Sequence, residues 1–519
     1  MAEVLLSPGV LARENDQSFL QRQPIQAGAA ILGPTVKGPV GIPTIVTSYS
    51  DYQNKFGAIV ISGSNEYTYF TSISAYNYFQ QGGDSLLVSR IVSGSYTSAT
   101  SSFISNSLAT NAFSLNTLSE GVAQNSNSTL GSKGQLPSGS DDNVRWEIVS
   151  PNTSSGTFSL LIRRGNDITN QKTILETWAD LSLDPNASNY ISKIIGDQSL
   201  TVKNDGTTYY TQLTGSYANA SRYVRVTSVN TPTLNFFDNA GDAKSEYTSS
   251  IPIAASGTLG GALGTDFFNT VANFTSDINS TNTQGLVEDN YTTTISLLAN
   301  QDEYKYNLIV APGLYKTDYS APLTSIISNT QTRGDAIAVI DTVKYAQTIT
   351  AVKTEASGID SSYAATYWPW LQTIDPDLGK QSWVPASTMI PGVFAFNDNS
   401  SEAWFAPAGL NRGGLSTVLR AERKLTNGNR DSLYQSNVNP IATFPNAGVV
   451  VFGQKTLQKK ASALDRVNVR RLLIELKSYI SQVADNLVFE QNSISTRNNF
   501  LGQVNPYLES IQQRQGLYA

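Results

Sequence analysis

The sequence predicts a multidomain α/β (α+β) protein, with a mixed-sheet core built from the N- and C-terminal parts of the chain and β-rich domains inserted between them. Three observations lead there. The chain has 519 residues, well beyond the roughly 100–200 that one core usually serves. Apolar runs alternate with helix-like segments near the start and again from residue 285, as expected of strands joined through helices into a partly parallel sheet. Between these stretches the composition turns sharply to Ser, Asn and Gly.

Residues 1–24 read as an arm and linker. Val4, Leu5 and Leu6 precede the turn Ser7-Pro8-Gly9, and Val10 and Leu11 lead into a polar stretch ending at Pro24. A segment this short cannot bury its own apolar side chains. It reads either as a loose terminus or as a strand that pairs with a sheet edge on another copy. Residues 25–93 form the first part of the core. The run Ala27 to Leu32 ends at Gly33-Pro34, a strand is expected at Thr44–Val46, and Ser48 or Ser50 caps a short helix through Tyr52 and Phe56. A second helix carries Phe70, Ile73 and Phe79 and stops at Gly82-Gly83, before the apolar strand Ser85–Val92.

Residues 94–284 are expected to form the inserted β-rich part. The stretch 94–143 has little periodicity and reads as an irregular β surface or a mobile insert. Val144-Trp146-Ile148 and Phe158-Leu160-Ile162 alternate as a strand pair. Thr173 to Asp184 reads as a strand then a short helix, a further helical turn follows at Asn189 to Ile195, and YYTQL and YVRVTSV supply more short strands. GTLGGALG (Gly257 to Gly264) marks a boundary; its spacing fits neither the dinucleotide fingerprint nor the P-loop. Residues 285–519 are the second part of the core. Tyr306 to Leu314 is a buried strand ending in the Pro312-Gly313 turn, 321–330 is helix-like, and Asp335 to Asp341 is another buried strand. A late helix places Val469, Leu472, Leu473, Leu476, Ile480 and Val483 on one face.

Composition narrows the chemistry. The net charge is −6 and charged residues are only 15 % of the chain. No basic block suits a phosphate backbone, so nucleic acid is not an expected partner, whereas a weakly charged polar surface is compatible with close self-association. With no His and no Cys, Ser-His and Cys-His catalysis, disulfides and thiolate metal sites are excluded. No catalytic, cofactor-binding or metal-ligating residue is assigned. Asp375 and Asp377 flank Pro376, and Asp141-Asp142 sit in a Ser-Gly loop; both sets read as turn residues before an acid–base pair. No run approaches the 18 apolar residues of a membrane-spanning helix, and the first residues lack the basic and apolar regions of a secretory signal. Arg466, Arg470 and Arg471 crowd the start of the late helix. They read equally as a solvated face or as an ion-pair surface for a partner.

WFAPAGLNRGGL (404–415), DSLYQSNVNPIATFPNAGVVVFGQKTL (431–457), LDRVNVRRLLIELKSYI (464–480) and LVFEQNSISTRNNF (487–500) occur in one order at close spacing. Together they resemble the tail sheath protein of contractile-tail bacteriophages. LLSPGVLARE, GPTVKGPVGIPTIVTSYSDYQNKFG, YWPWLQTIDP and WVPASTMIPGVFAFND are similar to the opening and middle of that family. The resemblance covers 1–93 and 285–519, and 144–200 less closely. It implies a structural protein, not an enzyme, with no cofactor. Such subunits stack in hexameric rings or helical strands around an inner tail tube protein, between baseplate and tail terminator proteins. On a baseplate signal they pass from a metastable extended state to a shorter, wider one, and the tube is driven through the host envelope. The implied location is the virion, assembled in the host bacterial cytoplasm. The arm residues Val4, Leu5, Leu6, Val10 and Leu11 are implied in strand exchange between subunits, and Arg466, Arg470 and Arg471 become candidates for facing the tube or a neighbour. In the family the chain continues past the Gly516–Ala519 position into further strands, including a C-terminal arm; the resemblance leads one to expect those strands to be missing here, through truncation or because they come from elsewhere, which puts two-sided strand exchange in doubt.

Two further readings stay open. One is a close variant, the sheath of a phage-derived contractile injection particle or tailed bacteriocin. The other belongs to a different class: a surface glycan-binding adhesin or depolymerase, using Ser/Thr/Asn-rich β modules and aromatics such as Tyr209-Tyr210.

Overall fold

The computed structural model describes residues 25–62, 65–126, 140–168, 170–206, 208–264 and 291–517. Its centre is an eight-stranded sheet in the order Gly448–Val451, Asn439–Phe444, Ala364–Trp368, Ile337–Asp341, Leu308–Tyr315, Ala29–Gly33, Leu86–Arg90, Thr44–Val46. The inner strands are parallel and only the two edge strands run antiparallel. Sequence-distant segments meet at one seam, where Ala30 pairs with Ile309 and Ile31 with Val310. Ala29–Gly33, Leu86–Arg90, Ile337–Asp341 and Ala364–Trp368 are buried at every position. Continuous apolar runs are what a parallel strand covered on both faces requires. The helices Phe70–Gln80 and Ala386–Ser400 pack together over this sheet. Ser48 caps the helix Tyr49–Phe56, its hydroxyl accepting from the Asp51 amide at 3.1 Å.

The strand at Leu308–Tyr315 does not stop at Pro312-Gly313 as its sequence suggests. It runs on to Tyr315, with the register slipping between Val310 and Tyr315. A bulge is where a strand tolerates a proline that cannot donate a ladder hydrogen bond.

A second, seven-stranded antiparallel sheet has the order Ile174–Ser182, Thr157–Arg164, Val144–Asn152, Ala255–Gly260, Ser98–Ser101, Phe113–Glu120, Val224–Val229. Here burial alternates, with Phe113, Leu115 and Thr117 inward, as one-sided sheets demand. The expected boundary at Gly257–Gly264 is a strand for its first half, lying mid-sheet. Gly257 is needed there for close approach: a Cβ would lie 2.3 Å from Ser102 Oγ and 2.4 Å from the Trp146 ring. The stretch Ile174–Ser182 is all strand, and the helix after it is confined to Ile191–Ile195. Between them Asp184 organises a turn, accepting from the Asn186 amide at 3.0 Å.

Buried apolar residues fall into three clusters. One draws on 27–91 and 291–467, one on 99–262, and a small third joins Trp404, Leu472, Leu476 and Ile511. The first two meet at a polar joint. Arg90 donates to the carbonyls of Gly38 (2.7 Å) and Glu120 (2.8 Å) and lies over Tyr96, while Glu120 accepts from the Val40 amide at 3.1 Å. Burial raises the Glu120 carboxyl above its ordinary range. The hairpin Ser199–Asn204 and Tyr209–Thr214 returns to the core, where Val202 and Tyr209 pack and Thr211 donates to Glu303 at 2.6 Å.

Candidate assembly interface

Where a second copy could attach depends first on which sheet edges are open. An edge strand offers unpaired N–H and C=O groups that another chain can complete. At one end of the core sheet, Lys55 reaches the edge strand: its ammonium donates to the Ile45 carbonyl and to Asp51, both at 2.9 Å. At the other end the loop 409–415 lies along Gly448–Val451, with Leu415 N to Val449 O at 3.0 Å, Val451 N to Gly413 O at 2.8 Å and Gly409 N to Val451 O at 2.8 Å. The Gly448–Val451 edge is thus paired along its backbone from within the subunit, and the Thr44–Val46 edge has one carbonyl capped by Lys55. In the seven-stranded sheet, Val226 on one edge strand donates to Gly196 at 2.9 Å. The opposite edge, Ile174–Ser182, meets Asn189 at its Asp180–Ser182 end and is otherwise exposed along much of its length.

The arm enters the core at a defined place. Ile25–Ala27, the first described residues, pair in parallel with Tyr304–Tyr306. Val4, Leu5, Leu6, Val10 and Leu11 lie outside the described residues.

The late helix runs Val467–Asp485 and is followed by a second, Ile494–Gln513. Their hairpin is braced by Tyr479 stacked on Tyr507, with ring centroids 3.7 Å apart. Trp404 donates to the Arg514 carbonyl at 3.1 Å, and Arg514 pairs with Glu402 at 2.8 Å. The buried face of Val467–Asp485 is wider than the one its apolar spacing marks: Val467, Arg470, Arg471 and Ile474 are inward alongside Leu472, Leu476 and Val483 of that stripe, while its Val469, Leu473 and Ile480 are only half-buried. The helix is clamped from two sides, by the core and by its partner helix, so its inward surface is wider than one stripe. Val488, Phe489 and Ile494 at the turn are exposed.

This geometry separates the three arginines. Arg466 keeps a side chain 39 % exposed, pairing with Asp465 at 3.3 Å and hydrogen-bonding Tyr434. Arg470 and Arg471 do not form a solvated face; both are buried. Arg470 lies over the Tyr363 ring at 4.0 Å and bonds Ser362. Arg471 lies over the Phe394 ring at 4.8 Å and meets Asp398 at 2.5 Å. Burial lowers the Arg470 guanidinium below its ordinary range. The sequence offered no sign of this inward turn, because the aromatic faces that receive the cations come from other segments.

The carboxylates considered for catalysis do structural work. Asp375 accepts from the amides of Asp377 (2.9 Å) and Leu378 (3.2 Å), and Asp377 accepts from Tyr49 at 2.6 Å and Gln53 at 2.8 Å. Asp142 pairs with Lys37 and Asp141 with Arg164, each at 3.3 Å. Among the described residues no group of acidic side chains has the arrangement of a metal site, and no helix is long and apolar enough to cross a membrane.

Against known proteins, residues 268–457 match the family described as the phage tail sheath protein central domain. The chain is 39 % identical over 167 residues to the tail sheath protein of Vibrio phage KVP40, and 35 % identical over 160 residues to that of Enterobacteria phage T4. These alignments take in 32 % and 31 % of this chain, and the chain spans about a quarter (24 %) of the length of each relative. A crystal structure of a sheath tail protein from Listeria innocua matches 94 % of this chain and 85 % of its own at a TM-score of 0.55, with 10 % identity. At that identity the likeness is one of fold. The resemblance to tail sheath proteins and the mixed α/β class read from the sequence are both borne out.

Proposed function

We propose that this chain is a structural subunit of a contractile phage tail sheath, one that polymerises around an inner tube and contracts to drive the tube through a host envelope. The observation that carries this is the match of residues 268–457 to the sheath central domain, supported by sequence identity to two phage tail sheath proteins. A helical polymer needs a heterologous contact that does not close on itself. A donated strand provides one whose backbone hydrogen bonds survive rotation of the rigid bodies it links. The arm 1–24, with Val4, Leu5, Leu6, Val10 and Leu11, fills that role. Since the Gly448–Val451 core edge is paired within the subunit, its acceptor on the neighbour lies elsewhere. Arg466, the most accessible of the three arginines, is the one offered to the tube or an adjacent subunit. The core is built from 25–93 and 285–519, with 94–284 as the outward insert. Free energy stored at assembly drives contraction, a few kcal/mol per subunit being a typical gap between two packings. The subunit is a virion component assembled in the host cytoplasm, meeting baseplate and terminator proteins at the sheath ends.

Co-expression of the gene product with its tube protein, viewed by negative-stain microscopy, tests this. Striated cylinders are expected, and deletion of residues 1–20 should leave folded subunits without tubes. Dispersed particles from the intact product would overturn the function; normal tubes from the deletion variant would overturn only the arm's role.

A further inference from the structure

We infer that the C-terminal helical hairpin, Val467–Asp485 with Ile494–Gln513, is a hinged unit that swings as one body about Arg466–Val467 and is latched to the core through Arg470 and Arg471. The inference rests on packing inside one subunit and does not require the sheath reading.

The hairpin has its own small apolar cluster, in which Trp404, Leu472, Leu476 and Ile511 are buried together. Only Val467, at the helix start, belongs to the main core cluster. Its amide donates to the Gln454 carbonyl at 2.9 Å, the next amide, of Asn468, reaches Gln454 Oε1 at 3.3 Å, and Arg466 forms a bridge with Lys455. The root is therefore fixed by backbone bonds. One turn further on, contact with the core changes character: Arg470 and Arg471 lie on the faces of Tyr363 and Phe394 instead of interlocking aliphatic side chains.

That contact is under-satisfied. Arg470 Nε, Arg471 Nη1, Asn397 Oδ1 and Asn468 Oδ1 are buried, and at those atoms the side chains make no hydrogen bond to the described residues. Opening the seam returns the Arg470 and Arg471 atoms to solvent. Against that stand two cation–ring contacts, the Arg470–Ser362 hydrogen bond and one ion pair whose Asp398 side chain is 37 % exposed, each individually weak. Opening therefore costs little at the latch, while the stacked Tyr479–Tyr507 pair and the Trp404–Arg514 contacts keep the hairpin intact. The loop 402–405 links the hairpin to the helix Ala386–Ser400: Glu402 and Trp404 bond to Arg514, and the Asn397 side-chain amide donates to the Glu402 carbonyl at 3.1 Å.

The chain has no cysteine, so spin labels can be placed on engineered cysteines without background. One pair, Thr354→Cys with Lys477→Cys, spans core and hairpin; a second, Lys477→Cys with Glu509→Cys, lies within the hairpin. Expected is a two-peaked or broad distance distribution for the first and one narrow peak for the second. Replacing the latch by apolar side chains, Arg471→Met with Asp398→Leu, should shift the first pair toward its closed distance by about tenfold in population ratio. A single narrow peak for the spanning pair overturns the hinge, and a two-peaked distribution unmoved by the latch variant overturns the latch. Hydrogen exchange on the unsubstituted chain is an independent check. Both helices should stay protected as a block while the hairpin moves; exchange proceeding residue by residue from the helix ends would overturn rigid-body motion.

Discussion

The seven-stranded sheet and the root of the C-terminal hairpin each bury two arginines, and they treat them differently. In the seven-stranded sheet, Arg163 makes a two-point contact with Asp167 (Nε to Oδ2 2.8 Å, Nη2 to Oδ1 3.0 Å) and reaches Glu147 at 3.0 Å. Arg145 shares the same Asp167 at 2.5 Å, the Thr173 amide donates to it at 3.0 Å, and Lys172 completes Glu147 at 2.7 Å. Both oxygens of Asp167 are used and its side chain is wholly buried. At the hairpin root, Arg470 and Arg471 are equally buried but lean on the Tyr363 and Phe394 rings, and only Arg471 has a carboxylate partner, Asp398, whose side chain is 37 % exposed. Burial of a cation thus says nothing by itself about rigidity. A carboxylate shared by several buried donors ties its elements together more firmly than separate ring contacts do.

The largest test of this contrast removes the shared acceptor. Asp167→Ala leaves two guanidiniums facing each other in a buried site, and chemical denaturation should show a loss of about 3–5 kcal/mol in the unit that holds the seven-stranded sheet. A loss below about 1 kcal/mol would mean the network is no more than a surface pair.

Asp341 offers a third kind of buried charge, held only by neutral donors. It accepts from the Ser387 amide at 3.1 Å and hydroxyl at 2.5 Å, yet burial pushes its carboxyl up to about 7. With the folded pKa above the unfolded one, the native state holds the proton over the window from about 4 to about 7. Stability is therefore fullest below that window and falls as pH rises through it, by at most about 4 kcal/mol. Asp341→Asn should flatten this part of the profile in thermal unfolding at a series of pH values; an unchanged slope would assign it to other groups.

Asp398→Ala, the counterpart of Asp167→Ala at the hairpin root, should cost under about 1 kcal/mol by denaturation, because its side chain is 37 % exposed. A cost as large as that at Asp167 would erase the distinction between network and joint. The smallest effect is expected at Lys55, whose side chain is 41 % exposed. Lys55→Ala should alter stability by no more than about 0.5 kcal/mol but uncover the Ile45 carbonyl, and light scattering should then report concentration-dependent association through the freed edge.

Some of this was readable from local pattern. The apolar runs at Ala27 to Leu32 and Asp335 to Asp341, the alternation at Val144 to Ile148, and the Ser48 cap each depend on neighbours within a few residues, and each is found where expected. The Pro312-Gly313 turn misled because proline and glycine mark bulges as well as chain reversals. The strand in Gly257–Gly264 was hidden because its glycine makes room for Trp146, a residue far away in sequence. Arg470 and Arg471 looked like surface for the same reason: Tyr363 and Phe394 come from other elements.

By itself the sequence determined the mixed α/β class, the absence of histidine and cysteine chemistry, and the resemblance to tail sheath proteins. All of these are properties of composition, short-range periodicity, or motif order. Only the tertiary structure decided which sheet edges are closed, which arginines are spent inside the subunit, and where the hairpin meets the core. Those outcomes depend on side chains brought together across hundreds of residues, where solvent exclusion and hydrogen-bond satisfaction, not local preference, set the result.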